Sequence, residues 1–117
     1  MKKDNSSPEI TFSDFLQVHM VVGTIISAEL NPKAKKPAYI LKIDFGQWGI
    51  KMSSAQITQN YSTHQLQGEQ IVAVMNFPAK KIAGVVSEVL VLAAVCNEKG
   101  TVLLQPKSRV ENGTQIF

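Results

Sequence analysis

A chain of 117 residues is one domain, and at that size folding buries roughly 60 to 70% of the surface the unfolded chain exposes. A hydrophobic content of 44% fills one core, while a charged content of 18% is low enough that a second subunit is expected to cover part of the surface. The single cysteine, Cys96, excludes an internal disulfide framework, and no apolar run reaches the 18 residues of a spanning helix.

The polar start Met1-Lys2-Lys3-Asp4-Asn5-Ser6-Ser7-Pro8 has no apolar segment behind its lysines, so it is not a signal peptide and a cytoplasmic location is expected. The sequons at Asn5, Asn60 and Asn112 then carry no glycan. Charge is unevenly spread. Residues 1–29 carry a net −2 and residues 82–117 are balanced. Between them, Lys33, Lys35, Lys36, Lys42, Lys51, Lys80 and Lys81 against Asp44 and Glu69 leave +5. Such a basic middle points to a polyanion or an acidic partner.

Residues 1–10 are expected to fray. Thr11 to Gln17 predicts a short helix, capped by Thr11 or Ser13, with Phe12, Phe15 and Leu16 on one face. Two turns are not stable alone, so this helix must pack on something. Met20 to Glu29 is a long β-branched strand, with Gly23 at a bend or close approach. A lysine loop, Asn31 to Pro37, leads to a second strand in which Tyr39, Leu41, Ile43 and Phe45 alternate with polar positions. Gly46 to Gly49 turns the chain into a third strand, Ile50 to Ser54.

Ile57 and Tyr61 at i, i+4 predict a short helix ending before Gly68. Strand four is expected over Gln70 to Phe77, and a loop from Pro78 to Gly84 carries Lys80 and Lys81. Strand five, Val86 to Cys96, is nearly continuously apolar and expected to be buried on both sides, with Cys96 a small buried hydrophobe. Asn97 to Gly100 turns into Thr101 to Leu104, and an Asn112-Gly113 turn precedes an extended end, Thr114 to Phe117. Three strands, a helix and two strands is the element order of the five-stranded OB barrel. A small antiparallel sandwich is the alternative.

Nothing in the sequence makes an acid–base pair, a nucleophilic triad, a phosphate loop or a metal set, and His19 and His64 stand alone. The chain is therefore expected not to be an enzyme and to use no cofactor. Lys51-Met52-Ser53-Ser54 resembles a catalytic loop of aminoacyl-tRNA synthetases, but the alternating βα domain that loop requires is missing. The lysines are the candidates. On an OB barrel, strands two and three and the loops after strands one and four form one oligonucleotide-binding surface. The alternative is a solvated face. Tyr39, Trp48 and Phe77 border the region as possible stacking partners, with core packing the plainer role for Tyr39 and Phe77.

Ile43-Asp44-Phe45-Gly46, Lys51-Met52-Ser53-Ser54-Ala55-Gln56-Ile57-Thr58, Val74-Met75-Asn76-Phe77-Pro78, Lys80-Lys81-Ile82-Ala83-Gly84 and Ser87-Glu88-Val89-Leu90-Val91-Leu92 together resemble the tRNA-binding-domain family, most closely its CsaA branch of export-related chaperones. The resemblance runs from about residue 11 to the end, so residues 11–117 are expected to be one such domain. It implies an OB barrel whose N- and C-terminal extensions, with Phe12, Phe15, Leu16, Ile116 and Phe117, form a homodimer. It implies partners of two kinds, unfolded or export-destined polypeptides and tRNA. Carried over by position, Asn76, Lys80, Lys81, Ser87 and Glu88 match the family's binding face, and Ser53, Ser54 and Gln56 the branch signature. The chain departs from the family at Val21, where many members have Arg, and at Leu90, where tRNA-binding relatives have Met. Lys80 and Lys81 stand where branch members often carry Arg, keeping charge without the planar fork. Polypeptide binding is thus the first expectation and tRNA binding the alternative.

Overall fold

The computed structural model describes residues 7–117; the start Met1 to Ser6, with the sequon at Asn5, lies outside the described residues. The first helix, α1 (Phe12–Leu16), is fixed by a capping box. The Asp14 N–H donates to Thr11 Oγ1 and the Thr11 N–H to Asp14 Oδ2, both at 3.1 Å. Thr11 rather than Ser13 is therefore the cap.

β1 (Met20–Leu30) is long and does two jobs because a bulge between Ile25 and Ser27 bends it. Its first half pairs antiparallel with β4 (Gln70–Val74), its second half with β2 (Tyr39–Asp44), and β2 in turn pairs with β3 (Ile50–Ala55). Gly23 sits under the Phe45 ring, where a Cβ would stand 2.5 Å from Cδ1. The close approach read from the sequence is thus an aromatic ring seated on bare backbone. α2 (Thr63–Leu66) begins at a second capping box, Ser62 with Gln65, and buries only Leu66. Ile57 and Tyr61 precede it in non-helical chain, so the i, i+4 spacing misplaced the helix start. Ile57 nonetheless joins the core.

The second half departs from expectation more. Strand four stops at Val74, all five of its residues are buried, and Phe77 is exposed rather than in the core. Lys80 and Lys81 lie not in a loop but in β5 (Lys80–Ile82), which pairs with β6 (Val85–Ser87) as a hairpin. The expected strand five is broken into β6, β7 (Leu90–Val91) and β8 (Ala93–Cys96), the last paired with β9 (Gly100–Leu103). It is not buried on both sides. Val86, Leu90 and Val95 are exposed, and so is Cys96, because β8 runs out into a two-stranded hairpin beyond the core.

The main sheet has the order β3-β2-β1-β4-β7, and it curls until β3 meets residues 87–89. Side chains make that seam. The Met52 N–H donates to Glu88 Oε1 at 2.9 Å while the Glu88 N–H donates to Met52 O at 2.8 Å. The Ser54 N–H donates to Ser87 Oγ at 3.0 Å, and Ser53 Oγ donates to Val89 O at 3.2 Å. The result is a nearly closed antiparallel barrel of OB type. Inside it lie Val21, Ile25, Leu41, Ile43, Phe45, Leu66 and Ile71, each contributing about 1.5–3 kcal/mol by burial.

The C-terminal segment is strapped across the far end of β1. Gln70 holds it with its whole amide: Nε2 donates to Val110 O at 2.7 Å and Oε1 accepts from the Val110 N–H at 3.0 Å. Thr24 Oγ1 donates to Asn112 Oδ1 at 2.6 Å. Beyond the turn at Gly113 (φ +94°), Val22 N–H donates to Thr114 O and Ile116 N–H to Met20 O, each at 2.9 Å.

Candidate binding surface

The lysine loop and the lysine hairpin are joined by one residue. Asn31 is buried; its Nδ2 donates to Ala83 O at 3.3 Å and its Oδ1 accepts from the Lys33 N–H at 3.0 Å. Its backbone N–H donates to Ala38 O, closing the loop on itself. At the hairpin tip Ala83 and Gly84 take positive φ, +48° and +85°. The stem of Lys33 lies so near Gly84 that a Cβ there would be 3.2 Å from Cδ. Exposed Lys33, Lys35 and Lys36 are thereby held beside the hairpin that bears exposed Lys80 and Lys81. Asn31 was missed in the sequence, where the Asn-Pro start of the loop signals it.

Strand alternation sorts these cations further. Lys80 lies opposite Ser87 and Lys81 opposite Val86, so adjacent lysines point to opposite faces of the hairpin. On the Lys80 face is an apolar hollow of about 220 Å³, lined by Phe77, Pro78, Ile82, Val89 and Leu90 together with Lys80, Ser87 and Glu88. Phe77 is 54% exposed here, the freest of the three aromatics singled out from the sequence. Tyr39 is buried with its Oη donating to Tyr61 O at 2.7 Å, and Trp48 donates Nε1 to Gly113 O at 3.2 Å while standing edge-on to His19.

Lys42 and Lys51 are not brought to one side. Lys42 pairs with Met52 on the outer wall and is exposed, whereas Lys51 pairs with core residue Ile43 and is half-buried where β3 begins, beside the Gly46 to Gly49 turn. Ser53 is fully buried and, with Ser87 and Glu88, spends its side-chain polar atoms on the barrel seam, to which half-buried Ser54 lends its backbone N–H. Gln56 is exposed just past β3. Asn76 acts as a staple: Oδ1 accepts from the His19 N–H at 2.9 Å and Nδ2 donates to Gln17 O at 2.7 Å, fixing the segment between α1 and β1. Among the described residues no group of three or more His, Cys, Asp or Glu could hold a metal ion, and no helix is long and apolar enough to cross a membrane.

The terminal apolar residues gather at one end of β1. The Phe12 and Phe15 rings are 6.0 Å apart, and the strap delivers Ile116 and Phe117 beside the chain that joins α1 to β1. Phe12 is 66% and Phe117 78% exposed; Leu16 is exposed, while Phe15 and Ile116 are half-buried.

Barrel, docked loops and apolar hollow define an OB-type binding domain. Residues 20–115 match the family described as "Putative tRNA binding domain". The structure superposes on chaperone CsaA from Bacillus anthracis with a TM-score of 0.88 and 49% identity, covering 94% of this chain and 100% of that one. It superposes equally on the CsaA chaperone protein from Picrophilus torridus, with a TM-score of 0.87, 46% identity, and coverage of 93% and 100%. The chain belongs to the tRNA-binding-domain family, in its CsaA-type branch. It is also similar to methionine–tRNA ligases: that of Methanococcoides burtonii is 36% identical over 107 residues, which are 92% of this chain and 16% of the ligase. The chain thus spans about a sixth of the length of the curated relatives it matches.

Proposed function

We propose that the protein is a cytoplasmic, non-enzymatic homodimeric chaperone that holds unfolded or export-destined polypeptides on its OB surface. The observation that carries this reading is the apolar hollow beside Lys80. Phe77, Ile82 and Leu90 stand exposed around it, and exposed apolar side chains clustered about a hollow mark binding sites where scattered ones do not. Kinship with CsaA chaperones at close to half identity supports it. The purified protein should suppress aggregation of a chemically unfolded client at stoichiometric ratios, and Phe77→Asp, which touches this hollow alone, should weaken that effect. Full aggregation with the wild-type protein present would sink the reading.

A second reading, tRNA binding, is favoured by a separate observation: Asn31 gathers five exposed lysines from two chain segments. Each phosphate neutralised releases condensed counterions, so log K should fall with log salt by close to one unit per contact. A tRNA titration flat in salt would remove this reading and leave the first untouched.

A further inference from the structure

The β8–β9 hairpin has one edge whose hydrogen-bonding groups can be assigned from its neighbours. On β9, the Thr101 C=O accepts from Asn60 Nδ2 at 2.8 Å, and the Leu103 N–H donates to Tyr61 Oη at 2.9 Å. The main-chain groups of residues 101 and 103 therefore point away from β8. Hydrogen-bonded and non-bonded pairs alternate in an antiparallel ladder, so Val95↔Thr101 and Ala93↔Leu103 are the non-bonded pairs. The ladder bonds belong to Ala94↔Val102 and Cys96↔Gly100. The N–H and C=O groups of Ala93 and Val95 then face outward along the other edge of β8, and among the described residues β9 is the only strand paired with it.

That edge looks into a hollow of about 490 Å³ whose opposite wall is residues 54–57. Leu90, Leu92 and Val95 line it, and none of its lining residues is charged. Val95 is 84% exposed, the barest large hydrophobic side chain among the described residues. Sheet edges are ordinarily blunted by lysine, proline or cover. β8 reads Ala-Ala-Val-Cys and has none of these.

We propose that the outer edge of β8 takes an extended, uncharged polypeptide segment as an added strand, with alternate apolar side chains entering the hollow. This rests on the chaperone reading and adds to the hollow beside Lys80 a neighbouring site, with Leu90 lining both, at which the client main chain is held. Main-chain pairing needs no particular client sequence, and a neutral lining gives a polyanion nothing to neutralise it, so the occupant is peptide rather than RNA. The edge is distinct from the lysine loops, which remain available to another ligand.

The test uses the full chain and a fluorescent ten-residue peptide of alternating Val and Ser. Valine entering the hollow from a strand antiparallel to β8 fixes which amides face β8. N-methylation of one alternate set of amides should lower affinity at least tenfold, and methylation of the other set should leave it within twofold. Val95→Lys should lower affinity for the unmodified peptide at least tenfold without changing the mass in solution. Equal binding of both methylated peptides, or unaltered binding by a folded Val95→Lys variant, places the client elsewhere; so does failure of the unmodified peptide to bind. The proposal then falls while aggregation suppression still decides the chaperone reading. A change of mass in Val95→Lys would make the edge a contact between copies and overturn it equally. Should Val95→Lys not fold, the methylated pair on wild-type protein decides alone.

Discussion

Two side chains that resemble binding residues in the sequence hold structure, Glu88 the barrel seam and Asn76 the segment before β1, and their substitution separates the roles. Glu88 lends one carboxylate oxygen to the Met52 N–H, an acceptor that glutamine also offers. Glu88→Gln should leave stability within about 0.5 kcal/mol, whereas Glu88→Ala bares the Met52 amide and should cost about 1–3 kcal/mol in urea unfolding. A glutamine variant as unstable as the alanine one would show that the charge itself matters. Asn76 donates and accepts at once. Asn76→Ala should lose roughly 1–3 kcal/mol, and Asn76→Asp, which keeps only the acceptor to the His19 N–H, should fall between. Motif resemblance located both residues and was silent on their partners, because those partners are backbone groups 36 and 57 residues away.

At the scale of elements, alternation decides which lysines can act together. Replaced one at a time by glutamine, Lys80 and Lys81 should differ: loss of the lysine on the bound face should reduce the magnitude of the tRNA salt slope by about one unit, while loss of the other, like Lys51→Gln, should leave it unchanged. An equal effect from Lys51→Gln would mean that the bound nucleic acid also reaches the start of β3. What was legible in the sequence follows the same physics. β2 was readable because it buries one face, and Tyr39, Leu41 and Ile43 betray it by period two, while β1 shows itself by its β-branched run and β3 by the Gly46 to Gly49 turn before it. Strand five misled because an apolar run is consistent with burial and with an exposed binding edge alike. Seven lysines looked like one face because composition carries no parity. Only the registers Lys42↔Met52 and Lys51↔Ile43 separate them.

At the scale of the molecule, Phe12, Leu16 and Phe117 are all exposed, and the proposed dimer would cover them. Light scattering at micromolar concentration should give twice the chain mass, and Phe12→Asp with Phe117→Asp should give the chain mass with the barrel still folded. A wild-type monomer would refute the dimer. The strap that presents Phe117 also bears on how the protein is made. Val21 bridges Gln115, ninety-four positions later in the chain. Synthesis proceeds from the N-terminus at about 5–20 residues per second, so on the ribosome the first half of β1 waits for both its neighbours. β4 comes after some fifty residues, and the strap after ninety. Val21 and Val22, buried in the finished barrel, lack their native cover until both neighbours exist. A protein proposed to hold unfolded polypeptides is thus itself, until residue 115 is made, a chain in need of holding.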